Sequence, residues 1–419
     1  MSVTTWRPRN AARATARRLG WGLGDQAVSS ITNFVLGVVV ARSLGAASFG
    51  AFSLAWATYG VVLNISRGLA TDPLMVRYSG SADARWRGAV GRAGSTALAV
   101  GLACGAACAL GGLAIGRSVG PSFIALGITL PGLMLQDSWR FAFFAAGQGQ
   151  SAFLNDTVWA VALAPAMLLA DAAGTAFGFV LAWGGAALVA AAFGFVQTRS
   201  SLRLGGITVW LREHRDLGAR YAVENLSDSA GAQARLSGLG LASGLAAVGA
   251  VRGAQLLLGP FIALRMGISL MAVPEAARVL KRRPERLMTF CWLLGGSQAA
   301  AALLCGALLL ALPSAVGTLF LGTLWHAAIV LIVPTTVAMA LGCVFDGAFV
   351  GLRALGVARR SLRAQATRAV SGAVLGVTGA YLGGASGMLW GAAVASLIGV
   401  MVVWTQLRAA LRTTVPSVR

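Results

Sequence analysis

The side chains that could do chemistry in this chain stand where charges are least welcome. Asp25, Ser29 and Thr32 lie four and three residues apart inside a strongly apolar stretch, which puts them on one face of a helix. Glu224, Asp228, Gly231 and Arg235 form a similar stripe in the second half of the chain. Four arginines, Arg67, Arg140, Arg235 and Arg265, fall within apolar segments. Four acids, Asp72, Asp137, Asp346 and Glu275, fall at or near segment ends. A charge at the centre of a bilayer costs at least about 2.5–3.5 kcal/mol on insertion scales, so each needs a partner or a task. Guanidinium groups stay protonated and offer bidentate donors, so they can hold an internal carboxylate or face a cavity. The acids either hold those arginines or bind a coupling proton or Na⁺, with Asp137 and Asp346 as the candidates for the ion.

Plainer accounts exist for several of these residues. Asp25 is near the start of its apolar segment, where a helix dipole favours a carboxylate. Glu224 has Arg220 one turn away. Arg140 follows Asp137 by three residues and either pairs with it or faces a cavity. Arg67 and Arg235 are assigned to a cavity. The five cysteines all lie in apolar runs, and no His or carboxylate accompanies Cys104 and Cys108, so no metal site is expected. Enzyme chemistry finds little support. The two histidines, His214 in a basic linker and His326 at a segment end, assemble no catalytic set. GWGLG at 20–24 lacks a nucleotide-binding context, and there is no Walker motif. No cofactor is expected.

These residues are positioned by a chain that is 57% hydrophobic and only 11% charged. Soluble domains carry about 25% charged residues, so the reading is a polytopic membrane protein. Fifty-five glycines fit closely packed membrane helices. The net charge of +21 would suit nucleic acid, but no soluble stretch could hold such a domain. The basic N-terminus, MSVTTWRPRNAARATARR, precedes a full-length apolar segment, which reads as an uncleaved first span.

Twelve apolar segments are long enough to cross a bilayer, at about 21–43, 50–71, 92–115, 121–146, 152–170, 175–198, 219–242, 254–274, 287–311, 323–349, 364–382 and 385–407. Arginines concentrate at the N-terminus and after the second, sixth, eighth and tenth segments. The alternate loops offer only Arg42, Arg117 and Arg252. That asymmetry places both termini in the cytoplasm. Trp21, Tyr78 and Trp404 read as anchors at the membrane surface. Gly372/Gly376 and Gly387/Gly391 read as close helix packing.

The chain also repeats itself at an offset near 200. Asp25-Gln26 faces Glu224-Asn225, and Ser30 faces Ser229, at offset 199. Pro73 with Arg77 faces Pro274 with Arg278 at offset 201, and Asp137 with Gly147 faces Asp346 with Gly356 at offset 209. Arg67 and Arg265 fall within about a turn of equivalence. The expectation is two six-helix lobes, 1–205 and 206–419, joined near WLREHRDLGAR. An even number of spans per lobe gives both the same orientation, a repeat that transporters use with the substrate path between lobes.

DQAVSSITNFVLGVVVARSLGAASFGAFSLAWATYGVVLNISRGLATDPLMVRYS, with its ARSLG helix end and following Phe-Gly, resembles the polysaccharide exporter branch of the multidrug/oligosaccharidyl-lipid/polysaccharide (MOP) flippases. LQDSWRFAFFAAGQGQSAFLND resembles the same branch. The resemblance implies an all-α, V-shaped molecule of two pseudo-symmetric lobes in the bacterial cytoplasmic membrane, with the first helix of each lobe lining the cavity. It implies transport of a lipid-linked oligosaccharide, on an undecaprenyl-pyrophosphate-type carrier, by alternating access. The cavity candidates are then Arg67, Arg140, Arg235, Arg265, Asp25, Ser29, Thr32, Glu224 and Asp228. The bilayer is the medium, and a polysaccharide polymerase or glycosyltransferases are further partners. Two rival readings are a cation-coupled drug antiporter on the same fold and a non-transporting scaffold for glycosyltransferases.

Overall fold

The computed structural model describes residues 8–79, 84–116 and 119–414. Among them there is helix and no strand. The helices are α1 (Pro8–Ser43), α2 (Ala46–Ser66), α3 (Asp72–Arg77), α4 (Ala84–Ile115), α5 (Gly120–Ala145), α6 (Gly149–Ala173), α7 (Ala176–Thr198) and α8 (Ile207–Glu213). They continue with α9 (Arg215–Leu257), α10 (Gly259–Arg282), α11 (Leu287–Leu310), α12 (Ser314–Leu321), α13 (Trp325–Ile329), α14 (Ile332–Ala354) and α15 (Ala358–Thr414). Two compact units result. The first holds Met1–Leu36 and Thr58–Leu226, the second Gly37–Ala57 and Ser227–Arg419.

Ten described stretches are long and apolar enough to cross a membrane, against the twelve expected. Two expected spans, 364–382 and 385–407, lie in α15, which runs for 57 residues but breaks at Gly383–Gly384. The expected span 121–146 is the 26-residue α5, whose apolar run is diluted by Gln136, Asp137 and Arg140. The expected loop after 242 shrinks to a kink at Gly244, whose φ of +81° divides α9 into two helical parts. Arg252, expected in a loop, therefore rides on the second part of α9 and donates to Gln255 Oε1 at 3.0 Å.

Connections elsewhere follow local chemistry. α6 ends at Gly174 in the left-handed conformation, and the hydroxyl of Thr175 caps α7 by accepting from the Gly178 amide at 3.1 Å. Helices then pack through small residues, because lipid supplies no hydrophobic drive to bring them together. In the first unit, a side chain on Gly105 would meet the Gly127 carbonyl, and one on Gly127 would meet the Gly105 carbonyl. In the second unit, Gly295 and Gly347 bring α11 to α14, and Gly379 and Gly387 bring the two parts of α15 together. Gly391 packs on the Leu375 carbonyl, as its small-residue pattern implies. Exposed leucines such as Leu113, Leu169 and Leu382 coat the outside, as a lipid-facing surface would.

The second unit contains a contact that repeats its own geometry. The start of α2 crosses the second part of α9 with no room for side chains. A Cβ on Gly50 would strike the Leu245 carbonyl and press on the Gly249 amide. One on Gly249 would strike the Ala46 carbonyl and press on the Gly50 amide. The paired residues, 46 with 245 and 50 with 249, are both related by the offset of 199 seen in the sequence.

Candidate functional site

Each unit pairs a second-segment arginine with a fourth-segment aspartate; the acid is buried in the first unit, and both partners are partly exposed in the second. In the first, Arg67 donates to Asp137 from Nε at 3.0 Å and from Nη2 at 2.6 Å. Its guanidinium also lies 4.7 Å from the centre of the Phe141 ring, a cation–π contact. In the second, Arg265 Nη1 reaches Asp346 Oδ2 at 2.6 Å. Residues noticed separately in the sequence as repeat equivalents are thus bonded to each other in both copies. Both arginines keep part of their surface open, 27% for Arg67 and 31% for Arg265, and Nη1 of Arg67 has no acceptor among the described residues.

Arg67 stands at the start of a π-helical turn, Arg67–Thr71, and the sequence explains the turn. Pro73 has no N–H to offer the Leu69 carbonyl four residues earlier. The helix widens there, with the Asp72 amide bonding back to the Arg67 carbonyl. The Leu69 carbonyl is instead met from outside by Trp210 Nε1 at 3.1 Å. Asn225 of α9 donates to Asp72 Oδ2 at 2.7 Å, and Gly68 lets Ala222 approach backbone to backbone. The linker helix and the first turns of α9 thereby brace the turn that presents Arg67.

A larger polar network fills the first unit beside this pair. Arg140 of α5 donates to Asp25 of α1 from Nε at 2.9 Å and also from Nη2, and it lies 3.3 Å from Asp156 of α6. Gln136 donates to Asp156 at 2.9 Å and to Asn155 at 3.2 Å. Asn155 donates to Gln197 at 2.9 Å and to the Ala190 carbonyl at 3.0 Å.

The structure overturns two local interactions that the sequence suggests. α1 begins at Pro8, so Asp25 sits deep in the helix and is fully buried, beyond the reach of the terminal dipole. Arg140 bonds Asp25 and Asp156 rather than Asp137, which is committed to Arg67. Sequence reasoning passed over Asp156, Asn155, Gln136 and Gln197. Their signal was an Asn-Asp pair and two glutamines in apolar helices, visible as types but not as neighbours.

Ser29 and Thr32 continue the α1 face beyond Asp25 and are half-buried. Glu224 and Asp228 stand on α9, and their side chains lie outside the described residues, as does that of Arg220. Arg235 lies along Gly372 and Gly376 of α15, where a Cβ on either would press on its side chain. Of the remaining acids, Glu275 pairs with Arg278 on its own helix at 2.9 Å.

No family model matches the chain, and no curated protein matches it in sequence. Solved structures do match. An inward-facing multidrug resistance MATE family transporter of the MOP superfamily aligns with TM-score 0.75 at 17% identity, covering 93% of this chain and 96% of that one. This chain shares the fold of that transporter. The lipid II flippase MurJ, in an inward closed conformation, aligns with TM-score 0.67 at 10% identity, covering 95% of this chain and 87% of that one. A MOP superfamily transporter from Pyrococcus furiosus, described as having a binding pocket of reverse polarity, aligns with TM-score 0.54 at 16% identity over 95% of this chain and 96% of that one. Within this shared fold, the sequence repeat and the duplicated Arg–Asp pair are features of the chain itself.

Proposed function

We propose that this chain is a multi-pass transporter of the bacterial cytoplasmic membrane that moves a lipid-linked oligosaccharide, on a pyrophosphate-type carrier, by alternating access. The observation that carries this reading is the duplicated Arg–Asp pair. Each copy holds a guanidinium inside a membrane-length segment, engaged on one side and open on the other. Donors left over on a permanently charged group suit the oxygens of a passing pyrophosphate. The likeness of fold to a lipid II flippase supports the same reading.

Coupling has a further candidate in the network of the first unit. Among its described residues, Asp25, Asp137 and Asp156 face Arg67 and Arg140, which leaves one negative charge in excess. Uptake of a cation by this network would cancel it, which adds the network to Asp137 and Asp346 as candidates for the coupling site. The second reading, a cation-exchanging drug transporter, is favoured by the likeness to multidrug MATE proteins.

Depletion in the host separates the two. The flippase reading expects a lipid-linked intermediate to accumulate on the cytoplasmic leaflet. The antiporter reading expects no such species and a new sensitivity to lipophilic cations. At the site, Arg67→Gln with Asp137→Asn removes both charges without orphaning either. It is expected to lower transport at least about tenfold at normal protein level, the scale of one charge-assisted bond. Undiminished transport would remove Arg67 from the proposed path.

A further inference from the structure

The end of the α10–α11 hairpin holds a cavity of about 490 Å³ that the transport reading does not use. Arg278, Arg282, Arg283 and Arg286 line it on the polar side, and Phe290 and Leu293 form an apolar wall. α10 and α11 each have the length and apolarity of a membrane crossing, so the turn between them lies at the level of lipid headgroups.

An excess of basic residues after a span is enough to orient a helix, and orientation needs only their charge. It does not need them to converge. Here Arg278 and Arg282 share a face of α10 by their spacing of four. The tight turn Pro284–Arg286 then folds Arg286 back into the same cavity. One acid, Glu275, lines the cavity with them, and it is bonded to Arg278 at 2.9 Å. Arg282, Arg283 and Arg286 have no carboxylate partner among the described residues. Three like charges held together in this way repel one another until an anion enters.

The cavity also has two kinds of wall. Guanidinium forks and the Thr289 hydroxyl suit phosphate oxygens, while Leu293, 67% exposed, and Phe290 suit an acyl chain. A volume of this size exceeds what phosphate alone would fill and lies in the range of small-molecule sites of about 300–1,000 Å³. We propose that this cavity binds an anionic glycerophospholipid, its phosphate among the arginines and the start of its acyl chain on Phe290 and Leu293.

Native mass spectrometry of the purified full chain tests this with three probes: phosphatidylglycerol, phosphatidylcholine of the same chain length, and glycerol phosphate. Phosphatidylglycerol is expected to be retained about tenfold more than phosphatidylcholine, with glycerol phosphate not retained. The triple variant Arg282→Gln/Arg283→Gln/Arg286→Gln should lose that preference. Arg359→Gln/Arg363→Gln/Arg408→Gln, which removes the same charge from α15, should keep it. Equal loss in both variants would mean diffuse attraction and overturn the site. Retention of glycerol phosphate on a par with the lipid would make it a free phosphate site instead. If the triple variant fails to fold, Arg283→Gln alone should reduce retention several-fold, and an unchanged value overturns the proposal. The result is independent of whether the chain transports anything.

Discussion

At the scale of single residues, the structure turns isolated charges into commitments. Arg140 carries two acids at once, Asp25 and Asp156, and both are almost wholly buried. Removing one partner of a buried pair costs about 3–5 kcal/mol, because the other charge is left without compensation. Arg140→Ala is therefore expected to lower the melting temperature in detergent sharply, and Asp25→Asn much less, since Arg140 keeps Asp156. Arg140→Lys should fall between the two, because a single ammonium cannot match a fork that spans both acids. Equal effects from all three variants would contradict the network. The residue types were all readable in the sequence, but their partners were not. Asp25 and Arg140 are 115 positions apart, and the nearer candidate, Asp137, is taken by Arg67.

Among elements, the linker helix α8 has a role that its polar composition did not suggest. Trp210 supplies the hydrogen that Pro73 denies to Leu69. Trp210→Phe keeps the ring but orphans that carbonyl, at an expected cost of about 1–3 kcal/mol. Pro73→Ala restores a backbone donor, so Trp210→Phe should cost clearly less in that background. A thermal-stability double-mutant cycle reads the coupling, and strict additivity would refute it. His214 adds a pH dependence to the same element. It is buried, stacked on Trp210 at 3.9 Å, with Nδ1 at 2.9 Å from the Trp210 carbonyl. Burial is the main reason its pKa lies below the ordinary 6.5; Arg77 and Arg92 add to the lowering, while the Trp210 carbonyl and Glu213 oppose it. Tyr78 stacks nearby, and Asp216 is held by Arg77. The undocked linker therefore binds a proton more readily than the docked one. Docking is fully stable above about pH 6.5 and weakens as pH falls towards the depressed value. Hydrogen exchange of the 207–214 amides should accelerate on going from pH 8 to pH 5.5, after correction for the intrinsic rate. His214→Asn should remove that excess.

For the whole molecule, the duplicated architecture makes a symmetric prediction. Gly50 and Gly249 occupy equivalent places in one crossing, each against the other's backbone. Gly50→Val and Gly249→Val are expected to destabilise by similar amounts, of about 1–3 kcal/mol or more, because neither backbone can move aside. A large difference between their melting temperatures would show that the two sides are not equivalent. Arg67–Asp137 and Arg265–Asp346 extend the same duplication to the charged pairs.

The sequence by itself determined the class of the molecule and its periodicity. Apolar run length is a local property, and so is the cost of a charge within such a run, so both can be read without a fold. The offset near 200 was likewise legible, because duplicated residues keep their type. Only the tertiary structure decided who holds whom. Ion pairing depends on distances across helices that sequence separation does not encode, as Arg140 with Asp25 shows. Helix breaks were decided there too. Gly244 and Gly384 interrupt α9 and α15 through backbone angles that a glycine permits, and most of the described glycines do not use them.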